Sequence, residues 1–205
     1  MRLARVTACV LAVAALASCR TVPGPARNVM GPGADAPWPE QQAALKNFDQ
    51  YSLAGRVAVA ANGQGFSASL RYQQVADAMD LSLDGPLGLG GLRVKVAGED
   101  ISVATSRGEN LDGPAARAEL ERRLGFALPL RELRWWLLGV PSPGEAVVNA
   151  ADTGEIRDFT QAGWRVNITS RVAGLGFLLP QRLTAQRIEP EGEGARIKLM
   201  VERWQ

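Results

Sequence analysis

Apolar and polar residues alternate with a period of two in several separate segments of this chain. The alternation is clear in residues 79–84, MDLSLD, and in residues 92–96, LRVKV, and it returns in residues 164–169 and 196–202. Successive side chains of a β-strand point to opposite faces, so each segment predicts a strand with one apolar and one charged face. A succession of such strands folds most simply as a meander of antiparallel hairpins.

Three segments change to the helical spacing of apolar residues: 38–51, 112–125 and 129–139. Gly125 and Gly139 end the second and third segments, as glycine often ends helices. A few short helices beside roughly eight or more strands indicate an α+β domain, in which the helices form a lid over the apolar face of a curled sheet. Periodicity leaves open whether the interior is hollow or, as in most proteins, packed.

The turn between two of these strands is unusually apolar. Residues 83–92 read LDGPLGLGGL, and its proline and glycines mark a tight connection. Connections run over the surface, so Leu87 and Leu89 are expected to be exposed at a hairpin tip. Such a tip either folds back onto the domain or contacts an apolar partner.

The first 18 residues have the features of a secretory signal peptide. Arginines precede a short apolar run, which is not long enough to span a bilayer. The run ends in Leu16-Ala17-Ser18-Cys19, which resembles the lipobox of bacterial lipoproteins, and we expect cleavage before Cys19 and acylation of that cysteine. The other cysteine, Cys9, belongs to the removed signal, so the mature chain forms no internal disulfide.

Composition divides the rest of the chain in two. Residues 19–39 are rich in proline and glycine and predict a flexible tether, whereas residues 40–205 have the size of one domain. In bacterial lipoproteins an acidic residue after the cysteine commonly retains the protein at the inner membrane. Here that residue is Arg20, which favours the outer membrane, and several acyl chains on Cys19 would make the anchoring nearly permanent.

Residue types that serve catalysis are scarce. The chain has no histidine, which removes the most frequent general base and metal ligand. Carboxylates cluster at residues 152–158 and 189–193, but both clusters contain glycine turns and are more simply solvated loops. The formal net charge of +2 gives no argument for nucleic-acid binding. The sequence therefore favours a protein that is not an enzyme and whose distinguishing chemistry is apolar.

Six motifs occur along the chain in a characteristic order. They are YSLAGRVAV, GPLG, LRWWLLGVP, GWRVNI, LLPQRL and RIKLMVERW. In this order and spacing, behind a lipobox, they resemble the LolA/LolB-like lipoprotein carrier family from Cys19 to the C-terminus. Two positions depart from the family pattern: Asp84-Gly85 stands where asparagine is frequent, and Tyr72 stands where tryptophan is common.

The resemblance implies an incomplete antiparallel β-barrel, a curled sheet of about 11 strands, with a lid of short α-helices over an apolar cavity. It implies no enzymatic activity and no cofactor besides a covalent diacylglycerol and fatty acyl anchor on Cys19. The implied function is that of a monomeric outer-membrane receptor facing the periplasm. Such a receptor accepts acylated lipoprotein cargo from a periplasmic LolA-like carrier and inserts it into the inner leaflet of the outer membrane.

The resemblance also implies two sites. The protruding loop of the family carries a leucine that corresponds to Leu87, flanked here by Pro86, Gly88 and Leu89, and this leucine is tied to insertion of the cargo into the membrane. Inward positions of the strands and the lid would line the acyl-chain cavity. These positions are Leu53, Val57, Leu70, Leu81, Leu83, Leu92, Val94, Leu133, Trp136, Leu137, Val166, Ile168, Leu199 and Val201.

Two other functions stay open on the residues alone. A structural lipoprotein of an envelope assembly machine would have a packed interior and would dock a protein partner on its leucine tip. A periplasmic lipid-modifying hydrolase would depend on serine or aspartate without histidine. Binding of a fluorescent acyl probe separates the receptor from the first alternative, and serine or aspartate substitutions test the second.

Overall fold

The computed structural model describes residues 30–85, 91–189 and 194–205. Within these residues the chain forms three α-helices and one β-sheet. The helices are α1 (Trp38–Lys46), α2 (Gly113–Leu124) and α3 (Leu133–Trp136). The strands are β1 (Gln50–Ala61), β2 (Gln64–Val75), β3 (Ala78–Asp84), β4 (Gly91–Ala97), β5 (Asp100–Thr105), β6 (Asn110–Asp112), β7 (Val147–Ala150), β8 (Ile156–Gln161), β9 (Trp164–Gly174), β10 (Phe177–Arg187) and β11 (Arg196–Trp204).

The sheet is 11-stranded, in the order β6-β5-β4-β3-β2-β1-β11-β10-β9-β8-β7. Except for β6 and β7, strands that follow each other in the sequence pair antiparallel, and the pairing of β1 with β11 joins the two halves of the meander. In the part of the chain that the structure describes, β6 and β7 are the two edges, so the barrel is incomplete. The prediction of an α+β fold with a curled antiparallel sheet is confirmed.

The two faces of the sheet differ as the alternation predicts. In β3 the side chains of Met79, Leu81 and Leu83 are buried on the inner face. On the outer face Arg93 of β4 forms an ion pair with Asp80 over 2.6 Å. Exposed ion pairs contribute little to stability, so the fold is held chiefly by burial of the inner face.

Two irregularities bend the long strands. The register of β1 against β11 shifts between Ala54 and Gly55, where an added side chain would collide with the carbonyl oxygen of Met200. The register of β10 against β9 shifts between Pro180 and Leu183. Because β-bulges increase the local twist of a strand, these positions help the sheet to curl around its apolar face.

The helices cover the concave side of the sheet. Helix α2 ends at Gly125, whose φ of 81° is left-handed, as the sequence predicts. The expected helix over residues 129–139 is wrong in length, because α3 contains only Leu133–Trp136 and continues into turns. Leu138 and Val140 are also fully buried, which a helix with one apolar stripe would not achieve. Among the described residues, no helix has the length and hydropathy needed to span a bilayer.

The residues before α1 lie on the turn between β9 and β10. The main-chain N–H of Gly31 donates to the carbonyl of Leu175 over 2.9 Å, and that of Gly33 donates to Gly176 over 2.9 Å. Residues 31–39, which composition assigns to the flexible tether, are therefore held on the domain by main-chain hydrogen bonds and by the buried Trp38. The predicted signal peptide and Cys19 lie outside the described residues.

Candidate functional site

An apolar cavity lies between the concave face of the sheet and its helical cover. Its volume is about 70 Å³. Six strands contribute to its wall, together with α2, α3 and the connection between these helices. The lining residues are Val57, Val59, Leu70, Tyr72, Leu81, Leu83, Leu120, Leu124, Phe126, Leu128, Pro129, Leu133, Trp136, Leu137, Trp164, Val166, Leu183, Ala185, Ile197 and Leu199.

Strand alternation and register build the sheet side of this wall. In β1, Val57 and Val59 are buried on the inner face, whereas Arg56, which precedes Val57, is exposed on the outer face. Val57 lies opposite Leu199 of β11, and Val59 lies opposite Ile197. The wall is therefore continuous across the line where the two halves of the meander meet.

Every side chain on the wall is aliphatic or aromatic. Two of the aromatic residues turn their polar atoms toward other protein groups. The Tyr72 hydroxyl donates to the side-chain oxygen of Gln74, and the indole Nε1 of Trp136 donates to Oε1 of Gln161 over 3.0 Å. A ligand on this wall would thus be held by burial of apolar surface, as a hydrocarbon chain is.

The cavity is small in the closed arrangement of the structure. Its volume of about 70 Å³ compares with about 300–1,000 Å³ for typical pockets that bind small molecules. A long hydrocarbon chain would therefore enter only if the helical cover moved away from the sheet. The attachments of the cover are consequently part of the site.

Gln161, the last residue of β8, fastens one side of the cover. Its Oε1 accepts hydrogen bonds from Trp136 and from both the main-chain N–H and the hydroxyl of Ser142, over 2.9 and 3.0 Å for the latter two. Its Nε2 donates to the carbonyl of Ser142 over 3.0 Å. Because Gln161 is buried, removing its partners would leave polar groups unpaired, at a cost of about 1–3 kcal/mol each.

Tyr51 of β1 fastens the other side. Its hydroxyl donates to the main-chain carbonyl of Arg134 in α3. The indole Nε1 of the neighbouring Trp135 donates to the carbonyl of Lys46, at the end of α1, over 3.0 Å. Burial raises the pKa of Tyr51 well above its ordinary value, so the hydroxyl keeps its proton and remains a donor.

Most of the positions predicted to line the cavity do line it. Alternation identifies those on the strands, and the apolar stripe after Pro129 identifies those on the cover. They are Val57, Leu70, Leu81, Leu83, Leu133, Trp136, Leu137, Val166 and Leu199. Their role in binding acyl chains stays a prediction.

The other predicted positions do not lie on this wall. Leu53 and Val201 face inward but are packed in the core at the other end of β1 and β11. Leu92 and Val94 belong to β4, which lies beyond the strands of the wall, and Leu92 lines a separate pocket. Ile168 is half-buried beside the irregularity of β10. Alternation determines the face of a side chain but not its distance from the cavity, which explains why these positions lie off the wall.

Sequence reasoning missed the part of the wall that α2 and its connection to α3 supply. These residues are Leu120, Leu124, Phe126, Leu128 and Pro129. The shared helical face of Leu120 and Leu124 was a signal for the first two. The connection that follows has no periodicity from which its orientation could be inferred.

Two predicted sites lie outside the described residues. One is the lipidation site at Cys19. The other is the leucine tip, formed by Pro86, Leu87, Gly88 and Leu89. The structure describes β3 and β4, the strands on either side of this tip, and their roles at a membrane stay predictions.

Acidic residues of the first carboxylate cluster are engaged by other side chains. Oε1 of Glu155 accepts a hydrogen bond from Nε of Arg171 over 2.9 Å, and Oδ2 of Asp158 accepts one from Asn149 over 2.9 Å. Across residues 30–85, 91–189 and 194–205, no group of three or more potential metal ligands occurs. Glu155 and Asp158 of this cluster therefore take part in contacts within the domain.

Comparison with known proteins places this fold in a family. The model of the family described as outer membrane lipoprotein LolB matches residues 49–204. The chain is 29% identical to the outer-membrane lipoprotein LolB of Stutzerimonas stutzeri, over 93% of this chain and 90% of that protein. It is 27% identical to that of Nitrosococcus oceani, over 100% and 99% of the two chains. A crystal structure of a LolA superfamily protein from Nitrosomonas europaea is similar with a TM-score of 0.49 and 10% identity, over 80% of this chain and 92% of that chain. Because the family model spans most of the sequence, this chain belongs to the LolB family.

Proposed function

We propose that this chain is an outer-membrane receptor that accepts lipoproteins from a LolA-like periplasmic carrier and inserts them into the inner leaflet of the outer membrane. Membership of the LolB family supports the role of a lipoprotein receptor, and members of this family are carriers or receptors rather than enzymes. The observation that carries the proposal is the cavity whose wall is entirely aliphatic and aromatic.

Acceptance of cargo follows from the hydrophobic effect. Each methylene group of an acyl chain that leaves water gains about 0.8 kcal/mol. When the cover opens, Leu133, Trp136 and Leu137 on one side and the strand wall on the other expose a continuous apolar surface. Acyl chains then cross from the carrier because this surface buries more of them, and they pass on to the bilayer, which buries them completely. Such a transfer needs no nucleotide hydrolysis.

Opening of the cover is compatible with its construction. Helix α3 has four residues and lies between turns, and its attachments include the hydrogen bonds to Gln161 and Tyr51. A few hydrogen bonds contribute about 1 kcal/mol each to the closed arrangement, which is less than the free energy gained by burying several methylene groups. An acyl chain can therefore replace these attachments, and its departure allows them to form again.

Delivery requires contact with the membrane. Acyl chains on Cys19 would hold the receptor at the outer membrane, on the periplasmic side, as a monomer. Leu87 at the tip of the β3–β4 hairpin would then insert into the inner leaflet. Burial of one leucine gains roughly 1.5–3 kcal/mol, which is enough for a transient contact and too little for an anchor.

Binding of a fluorescent fatty acyl probe tests the role of the cavity. The experiment uses the chain from residue 20 onward, which retains every element of the fold. We expect saturable binding, and we expect Ala185→Phe to weaken it about ten-fold, because the added ring occupies the cavity (a tenfold change is 1.4 kcal/mol). Ala58→Phe, on the outer face of β1, is the matched control and should bind normally.

Two results would contradict the proposal. If the wild-type chain does not bind the probe, the interior is a packed core, as expected of a structural lipoprotein of the envelope. If Ala185→Phe binds like the wild type while Ala58→Phe does as well, the probe is held elsewhere on the chain.

A further inference from the structure

A second pocket lies beside the main cavity, between the end of α2 and the strands β2, β3 and β4. Its volume is about 100 Å³. Most of its lining is apolar, and part of it is only half-buried. The lining residues are Phe66, Ala68, Leu83, Gly85, Leu92, Arg123 and Leu124.

Two side chains belong to both walls. Leu83 of β3 and Leu124 of α2 line the second pocket and also the main cavity. Both are nearly fully buried. The partition between the two spaces therefore includes the side chains of Leu83 and Leu124.

The main chain on both sides of this partition is held in place. Leu83 pairs with Leu70 of β2 and with Leu92 of β4. At the end of α2, the carbonyl of Gly125 accepts a hydrogen bond from Asn62 over 3.1 Å. Rotation of the two leucine side chains is thus a small movement that would connect the spaces.

The other end of the pocket carries one charged side chain. Gly85, the residue that follows β3, lies on its rim, and Phe66 is half-buried. Among the described lining residues, Arg123 is the one that is charged. Its Nε donates to Glu119 over 2.6 Å and its Nη2 lies 3.6 Å from Glu109, and these two carboxylates fix the guanidinium. Such a group can donate a hydrogen bond to the carbonyl of an ester or amide while the attached hydrocarbon lies in the apolar pocket.

We propose that this second pocket is a transit site for one fatty acyl chain in ester or amide linkage. The chain enters from the main cavity between Leu83 and Leu124 and leaves at the Gly85 end, directly after the last residue of β3. The proposal rests on the proposed function and adds to it a route of departure separate from the opening under the helical cover.

Substitution of Ala68 tests this route, because Ala68 lines the second pocket and not the main cavity. The chain from residue 20 onward is loaded with an acylated lipoprotein peptide that carries a fluorescent fatty acid, and its transfer to phospholipid vesicles is timed. We expect Ala68→Phe to bind the peptide within about two-fold of the wild type and to release it about ten-fold more slowly. Ala58→Phe on the outer face should change neither quantity. Ala68→Leu should act in the same direction to a smaller extent, and it replaces Ala68→Phe if near-ultraviolet circular dichroism shows that the larger variant is misfolded.

The outcomes distinguish this proposal from the one on which it rests. Normal binding with normal release in the filled variants would overturn the transit site and leave the receptor function intact. Weaker binding of the peptide by the filled variants would show that the pocket is part of the storage space, which also overturns a transit role. Failure of the wild-type chain to bind the peptide would overturn the receptor function and the transit site together.

Discussion

The indole Nε1 of Trp136 donates a hydrogen bond to Oε1 of Gln161 over 3.0 Å, and this bond ties the helical cover to the sheet. Trp136 also lines the main cavity. The same side chain therefore closes the apolar interior and carries one of the attachments that hold it closed. This relationship links the stability of the cover to the accessibility of the cavity.

Gln161→Leu should release the cover. The substitution leaves the buried donors of Trp136 and Ser142 without their acceptor, so we expect the free energy of unfolding to fall by about 2–4 kcal/mol. Hydrogen exchange of residues 133–145 should accelerate more than that of the sheet. Urea denaturation and exchange mass spectrometry measure the two effects, with the exposed Gln73→Leu as control. Unchanged protection of residues 133–145 would show that Gln161 does not hold the cover.

The two tyrosines of the chain should make its stability depend on alkaline pH. Burial raises the pKa of both Tyr51 and Tyr72 above the ordinary value of 10.0. The unfolded chain then loses these protons first, so the stabilisation is fully present below pH 10 and decreases as the pH rises beyond it, by up to about 1.4 kcal/mol per pH unit for each tyrosine. Urea unfolding at pH 9 and pH 11 should show a smaller decrease for Tyr51→Phe than for the wild type. An equal decrease in both proteins would contradict the role of Tyr51.

Gly55→Ala should strain the joint between the two halves of the sheet. The added methyl group would lie against the carbonyl oxygen of Met200, within main chain that cannot move without breaking the β1–β11 pairing. We expect the free energy of unfolding to fall by about 1–3 kcal/mol. Gly174→Ala is the control, because its methyl group would make ordinary contacts of 3.5 Å or more and should change stability little. Equal stability of the two variants in urea would show that the joint adapts.

Leu87→Glu should separate acceptance of cargo from its delivery. A carboxylate at the tip would oppose entry into the apolar part of the leaflet, since burial of an unpaired charge is costly. The acylated full-length variant should still take lipoprotein from its LolA-like carrier complex and should deliver it to outer-membrane vesicles at least about ten-fold more slowly. Ser69→Glu on the outer face of β2 is the control. Unimpaired delivery by Leu87→Glu would show that the leucine is an ordinary loop residue.

The strands were the part of the fold that could be predicted best. Met79, Leu81 and Leu83 alternate with polar residues, and the structure buries all three on one face, because a strand has no other way to separate the two sets. The third helix was predicted less well. Leu137 and Leu138 of the predicted segment are buried in turns after α3 that satisfy the tertiary packing, and local periodicity does not include that requirement.

The apolar character of the candidate cavity could be predicted, but the full set of residues that line it could not. The inward positions Val57 and Leu199 were identified from alternation alone, whereas Leu53 and Val201 on the same strands proved to be packed in the core. The wall residues from Phe126 to Pro129 were missed, since an irregular connection carries no signal of the side on which it lies.

The sequence by itself determined which faces of the strands are apolar, where most turns occur, and, through its motifs, the family to which the chain belongs. These properties are local, because they depend on residues that are neighbours along the chain. Only the tertiary structure decided which apolar side chains border a space and which are packed, and that Leu83 and Leu124 line two pockets. Those relationships depend on the pairing of β1 with β11 and on the bends at Gly55 and in β10, which bring together residues that are far apart in the sequence.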